Sequence, residues 1–159
     1  MTAVDIRDMV GVFITWTTYG TWLPGDARGW RDSKLGPQLP DPDREAEART
    51  KMKHDDVRLR PQDRKTVEDA CCQHCLHRGW ILHAVNARSN HVHVVVSGYE
   101  NPETIRDQLK ANCTTRLRSQ PDPMIRDRTW TKKGDCEVLF TDEELQNAVA
   151  YTKDAQDWS

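Results

Sequence analysis

The sequence predicts an α+β fold, because short segments with strand-like alternation are interleaved with longer segments of helical periodicity. Strands are expected at 13–18, 80–87, 90–97 and 136–140, and helices at 62–78, 102–118 and 141–156. The second and third strands are separated only by a tight connection and should form a hairpin. The order β-α-β-β-α-β-α predicts a ferredoxin-like sheet of four antiparallel strands with helices on one face, followed by a C-terminal helix.

Each predicted helix has a recognisable end. The first runs up to Gly79, a residue suited to the left-handed conformation that closes helices. The second opens at Pro102, which fits the first helical turn. The third begins with Thr141 followed by Glu144, the spacing of a capping box. These signals place the three helices independently of their apolar periodicity.

The chain of 159 residues is expected to form one domain spanning 1–159, with an irregular insertion at about 25–61 that is rich in Pro, Asp and Arg. Its hydrophobic fraction of 36% predicts a core of a single layer under one sheet. We expect no membrane association, since there is neither a signal peptide nor a long apolar run. Five cysteines without a paired framework indicate reduced thiols, and a cytoplasmic location is expected.

His91 and His93 are the most informative residues, because they alternate within the apolar run 90–96. Side chains two positions apart on a strand project from the same face, so both imidazoles should point one way while Val92, Val94 and Val96 pack the other way. That arrangement supplies two ligands of a metal site. The alternative is a pair of surface histidines on a half-buried strand.

Tyr151 is expected at the edge of the apolar stripe of the last helix. At about 100° per residue, the stripe contains Leu145, Ala148, Val149, Thr152 and Gln156. A tyrosine at the edge of such a stripe should be half exposed. It could carry chemistry, or it could simply anchor the helix by its ring.

Taken together, the segment 90–93 followed by valines, the upstream strand 13–18 and Tyr151 on the last helix resemble the single-tyrosine HUH transposases, including the REP-associated tyrosine transposases. The resemblance covers most of the chain. It implies that His91 and His93 bind a divalent metal and that Tyr151 attacks a DNA phosphate. The implied activity is cleavage and rejoining of single-stranded or hairpin DNA through a 5′-phosphotyrosine intermediate. The alternative is a domesticated or catalytically inactive regulator that binds hairpin DNA. In related enzymes the tyrosine completes the site of its own subunit or that of a partner, so the resemblance is compatible with a homodimer. A protein of this type would be associated with the nucleoid when it is bound to DNA.

The third metal ligand departs from the family pattern. The family commonly has Gln, Asn or a similar residue four positions after the tyrosine, but position 155 is alanine. We prefer Gln156, because the stripe turns it toward the sheet, with Asp154 as the second choice. Two imidazoles and one oxygen suit Mg²⁺ or Mn²⁺, and Zn²⁺ is less favoured.

A cluster of thiols and imidazoles in the first helix offers a different metal site. Cys72 and Cys75 have the spacing of half a zinc knuckle, and His74 and His77 could complete it. We prefer to explain Cys71 and Cys75 as buried helix residues, since no second pair of cysteines has the required spacing. The alternative function is a zinc-stabilised interaction module.

Contacts with DNA are expected from aromatic and basic residues. The net charge is −2, but basic residues outnumber acidic ones in 49–65 and in 101–133. Aromatic rings beside arginines near the turn 23–26 are suited to stacking on unpaired bases. The expected DNA contacts are Tyr19, Trp22, Arg28, Arg31, Arg88, Lys110 and Arg116.

Overall fold

The computed structural model describes residues 5–32 and 34–158, and these form an α+β fold. Four strands build one antiparallel sheet in the order β4-β5-β1-β6, and β2 and β3 pair separately. The elements in chain order are β1 (Gly11–Thr17), β2 (Trp30–Asp32), β3 (Gly36–Gln38), α1 (Pro42–Thr50), α2 (Pro61–Arg78), β4 (Ile81–Ala87), β5 (His91–Ser97), α3 (Pro102–Ser119), β6 (Asp135–Leu139) and α4 (Asp142–Lys153).

The predicted helix signals correspond to the observed ends. Gly79 closes α2 with φ 72°, and the Thr141 side chain accepts a hydrogen bond from the Glu144 N–H at the start of α4. In a capping box the Glu144 carboxylate would accept from the Thr141 N–H. Here it accepts from the Phe140 N–H, one residue earlier. The prediction of a helix up to Gln156 is wrong by three residues, because α4 ends at Lys153 and the N–H of Ala155 donates to the Thr152 carbonyl in a tighter turn.

The segment 25–61, expected to be irregular, contains β2, β3 and α1. Helix α1 buries none of its residues, so it has no apolar stripe from which it could be predicted. It is held instead by its cap, where the Asp41 side chain accepts from the Arg44 N–H. Gly25 has φ +90°, and a Cβ there would lie 2.2 Å from the Asp41 carbonyl oxygen, so the chain can pack against the start of α1 only with glycine at this position.

The core lies on both faces of the sheet, so the prediction of a single layer is wrong. Helices α2 and α3 cover the face that includes Ile14, Trp16 and Val94. Helix α4 covers the other face, where Val95, Leu139 and Leu145 form a smaller cluster with Phe13 at its border. The low apolar content still suffices for two layers, because α4 is short and covers only part of its face.

Three of the five cysteines are buried between α2 and α3. Cys71, Cys75 and Cys113 are at most 1% exposed, and all five cysteines are free thiols. The Sγ atoms of Cys71 and Cys113 are 3.6 Å apart. The interpretation of the helix cysteines as packing residues is therefore confirmed for Cys71 and Cys75, whereas Cys72 is exposed.

In residues 5–32 and 34–158, no helix has the length and apolar character needed to cross a membrane.

Two leucines on neighbouring helices allow a test of the larger core. Leu109 on α3 is fully buried, whereas Leu76 on α2 is 77% exposed. Leu109→Ala should lower the free energy of unfolding by about 2–5 kcal/mol, because it leaves a cavity between α3 and the sheet. Leu76→Ala should change it by less than about 0.5 kcal/mol. Urea denaturation of both variants measures the difference, and equal effects would contradict the packing described here.

Candidate functional site

His91 and His93 lie on the face of β5 that α4 partly covers. Their side chains are 0% and 3% exposed, and the ring centroids are 4.7 Å apart. Val92, Val94 and Val96 belong to the core on the opposite face, which confirms the predicted alternation. The alternative of a surface histidine pair is wrong, because neither ring is accessible to solvent.

Hydrogen bonds orient both imidazoles through one nitrogen and leave the other without a partner. The Nδ1–H of His91 donates to Asn90 Oδ1 at 2.9 Å, and Nδ1 of His93 lies 2.8 Å from Thr15 Oγ1. Among the residues that the structure describes, neither Nε2 atom has a hydrogen-bond partner, although both are buried. A carbonyl oxygen only accepts, so the neutral His91 ring carries its proton on Nδ1 and has a lone pair on Nε2. Metal-binding histidines are typically held in this way.

The environment of the two rings favours their neutral forms. Burial lowers the pKa of His91 to about 3, with a further contribution from the neighbouring His93. Burial also lowers the pKa of His93 to about 4. Both imidazoles are therefore unprotonated at neutral pH, the state that a metal ligand requires.

Tyr151 on α4 lies beside His93. The ring centroids of Tyr151 and His93 are 5.5 Å apart with an angle of 74°, and Tyr151 also meets Phe13 edge-on at 5.8 Å. Its side chain is 60% exposed, as the stripe-edge position predicts. The last turn of α4 thus brings a phenol, accessible from solvent, next to a buried imidazole.

A surface cleft of about 570 Å³ connects these groups. Its floor follows a row across the sheet, because Thr15 of β1 pairs with His93 of β5 on one side and with Asp135 of β6 on the other. One end of the cleft is aromatic and the other is acidic. The lining residues used below are His93, Tyr151, Trp22 and Trp158 at the aromatic end, and Asp135, Glu137 and Glu144 at the acidic end.

Trp158 is a site residue that the sequence did not reveal. Its ring stacks on His91 with centroids 3.6 Å apart and an angle of 9°, and it meets Trp22 edge-on at 5.6 Å. It lies beyond the last helix, where no periodicity assigns a residue to a face. Only the occurrence of a tryptophan so close to a predicted nucleophile could have drawn attention to it.

The candidate third ligands lie on the exposed chain after α4. Gln156 is exposed and its amide donates to the Asp154 carbonyl at 3.2 Å, so its side chain is not directed at the imidazoles. Asp154 is the C-cap residue of α4 and is also exposed. Within residues 5–32 and 34–158, no three His, Cys, Asp or Glu side chains form a group able to bind a metal. Thr152 Oγ1, on the buried face of α4, is another polar atom without a partner among the described residues.

Three of the predicted DNA contacts lie near the histidines. Trp22 lines the cleft, and the Arg28 guanidinium stacks over the Trp22 ring at 4.1 Å while it also pairs with Asp26. Arg88 precedes β5 and forms an ion pair with Asp157 at 3.2 Å. These residues combine aromatic surface and positive charge beside His91.

The other predicted DNA contacts lie elsewhere or are buried. Tyr19 is 9% exposed and its hydroxyl accepts from the Lys53 N–H, so its ring is a core residue and does not suit base stacking. Lys110 donates to the carbonyls of Thr131 and Lys133, and burial lowers its pKa to about 8. Arg116 contacts Gln73 on the helical side of the sheet, and Arg31 is exposed on β2.

The alternative zinc site on α2 is not assembled. Nε2 of His74 lies 2.8 Å from Gln108 Oε1, and Cys75 is buried while Cys72 is exposed. The thiols therefore face different environments, and helix packing explains Cys75 without a metal.

No protein-family model matches the sequence, and a search of curated proteins also found no match.

Because both imidazoles have lowered pKa values, acid should destabilise the folded protein. An unfolded histidine binds a proton below about pH 6.5, whereas the folded His91 and His93 bind one only near pH 3 and 4. The contribution of the two neutral imidazoles to stability is complete above the unfolded pKa and is lost as the pH falls toward the folded pKa values. Between pH 6 and 4.5, each histidine should lower the free energy of unfolding by about 1.4 kcal/mol for each unit by which the pH falls.

The measurement is urea unfolding of the metal-free protein at several pH values, compared with the double variant His91→Gln/His93→Gln. The variant retains all other titrating groups, so the difference between the two slopes isolates the histidine pair. Parallel slopes would show that the imidazoles are protonated as easily in the folded protein as in the unfolded chain.

Proposed function

We propose that the protein is a metal-dependent single-stranded DNA endonuclease and strand transferase of the single-tyrosine HUH transposase type. The observation that supports this most directly is the contact between Tyr151 and His93 in one cleft. It lies beside two imidazoles whose Nε2 atoms have no partner in the part of the chain that the structure describes. An exposed phenol and a pair of oriented neutral imidazoles are the groups that this chemistry requires.

The architecture agrees with the proposal. The sheet order β4-β5-β1-β6, the β4–β5 hairpin and the helices α2 and α3 on one face support the interpretation of this α+β fold as ferredoxin-like. In this reading, α4 is the tyrosine helix, and its place on the opposite face puts Tyr151 on the same side of the sheet as the histidines.

The residues fit a divalent metal. Nε2 of His91 and Nε2 of His93 would be two ligands, held by Asn90 and Thr15 through Nδ1. Mg²⁺ or Mn²⁺ suits such a site completed by oxygen atoms, with Zn²⁺ less favoured. When bound, the ion supplies polarisation of a phosphate oxygen. Gln156 remains our candidate for the third ligand, because it is an exposed amide on the chain after Lys153, between Ala155 and Asp157, which are both anchored to the β4–β5 hairpin.

Tyr151 would be the nucleophile. Its phenolic oxygen forms a bond to phosphorus as the bond from phosphorus to the 3′ oxygen breaks. The phenol loses its proton to solvent, and the departing strand takes one up to become a 3′-hydroxyl. The product is a 5′-phosphotyrosine, which a later 3′-hydroxyl can attack in the reverse direction without ATP. The short distance between Tyr151 and His93 of the same chain favours cleavage within one subunit over a homodimer that exchanges tyrosines.

The tyrosine assignment predicts the behaviour of a conservative variant. Tyr151→Phe should bind single-stranded or hairpin DNA and Mn²⁺ as the wild type does, but should form no covalent adduct, because only the attacking oxygen is removed. The assay is incubation with a pool of hairpin oligonucleotides and Mn²⁺, followed by gel separation and mass analysis. Tyr99→Phe is the matched control, because Tyr99 is 82% exposed and does not line the cleft.

Cleavage by Tyr151→Phe at the wild-type rate would refute the assignment. DNA binding by the wild type without any cleavage would favour the alternative, a catalytically inactive hairpin-binding regulator.

The metal assignment predicts which residues control affinity. His91→Ala or His93→Ala should abolish most Mn²⁺ binding in calorimetric titration, whereas Cys72→Ala should leave it unchanged because that thiol is exposed on α2, away from the cleft. Gln156→Ala should weaken binding more than Asp154→Ala if Gln156 completes the site. An equal loss from Cys72→Ala would move the metal to α2 and favour the zinc-stabilised module.

A further inference from the structure

A series of aromatic rings in contact with one another runs from His91 to the surface. Trp158 lies flat on His91 at 3.6 Å, Trp22 meets Trp158 edge-on at 5.6 Å, and the Arg28 guanidinium covers Trp22 at 4.1 Å. Arg28 also lies 5.8 Å from the Trp158 ring. Trp22 and Trp158 both line the cleft that contains Tyr151 and are only partly buried. Planar aromatic groups beside a guanidinium form the surface on which unpaired bases stack.

The chain that leads to Trp158 is anchored to the end of the β4–β5 hairpin by hydrogen bonds of three preceding residues. The Asn86 amide donates to the carbonyls of Thr152 and Ala155 at 2.9 and 3.2 Å. The Asp157 carboxylate accepts from the Ser89 N–H at 2.9 Å and from Arg88 at 3.2 Å. Trp158 is therefore held in a defined position against the end of β5.

Charge distinguishes the two ends of the cleft. At the aromatic end the Arg28 guanidinium covers the Trp22 ring and is paired with Asp26, so these charges balance. The other end is lined by three carboxylates, Asp135, Glu137 and Glu144. A strand of DNA carries one negative charge per nucleotide and is repelled by the carboxylates. The favourable path for a strand therefore enters on the side of Trp22 and Trp158.

We propose that Trp158, together with Trp22 and Arg28, forms a stacking site for one unpaired base of the bound DNA strand, next to the phosphate that Tyr151 attacks. This inference rests on the proposed function and adds a substrate contact to it. The stacked base would fix the position of the neighbouring phosphate relative to Tyr151, and stacking tolerates any base because every base has a flat face. Trp158 is thus a base-stacking residue and takes no part in bond formation.

The test is an abasic scan combined with substitution. A fluorescent single-stranded oligonucleotide that the wild type binds is prepared with an abasic nucleotide at each position in turn. Affinity for the wild type and for Trp158→Ala is measured by anisotropy without metal, so that cleavage does not intervene. Trp158→Ala should weaken binding of the intact oligonucleotide roughly 5- to 150-fold, the loss that removal of one base-stacking ring produces. At one position next to the cleavage site, the abasic oligonucleotide should bind both proteins equally.

Two further variants separate stacking from structure. Trp158→Phe should restore most of the affinity, because it keeps a flat ring. Tyr99→Ala removes an exposed ring outside the cleft and should have no effect.

The outcomes distinguish this inference from the proposed function. If the wild type binds and cleaves DNA while Trp158→Ala binds equally well, or if its loss of affinity is the same at every abasic position, the stacking site is wrong and the function stands. If the wild type binds no single-stranded oligonucleotide, both are wrong.

Discussion

The burial of His91 and His93 against one face of the sheet is the constraint on which the site depends. A buried polar atom without a partner costs about 1–3 kcal/mol, and among the described residues both Nε2 atoms are in this state. Hydrogen bonds through Nδ1 hold each ring in place and the Trp158 indole stacks on His91, but neither contact satisfies Nε2. Burial keeps the rings neutral and the Nδ1 hydrogen bonds set their orientation, and together these make the pair suitable for a metal.

The two faces of the sheet differ in how completely they are covered. The face under α2 and α3 is closed by the larger apolar cluster, which contains Trp16 and the alternate valines of β5. The opposite face has a small cluster under α4, and beyond its border the sheet surface is open as the cleft. A site can remain partly uncovered there because the larger core on the other face supplies most of the buried apolar area.

Local charge is more informative here than the net charge of −2. Several predicted DNA-binding cations are engaged within the protein, and Lys110 is an example because two carbonyls accept its hydrogen bonds. Arg28 is also paired, but its guanidinium covers the Trp22 ring beside the cleft, and Arg88 pairs with Asp157. The surface that combines aromatic rings with positive charge is therefore small and close to the histidines, and it does not extend along the basic segments of the sequence.

The sequence by itself determined the main elements, the shared face of His91 and His93, and the partial exposure of Tyr151, because these follow from local periodicity and capping. Tertiary structure alone decided that Tyr19 is buried, that two backbone carbonyls accept from Lys110, that α4 lies opposite α2 and α3, and that Trp158 stacks on His91. Contacts between residues distant in the chain depend on how elements pack, and neither α1 nor the tail after α4 has an apolar repeat that would indicate its neighbours.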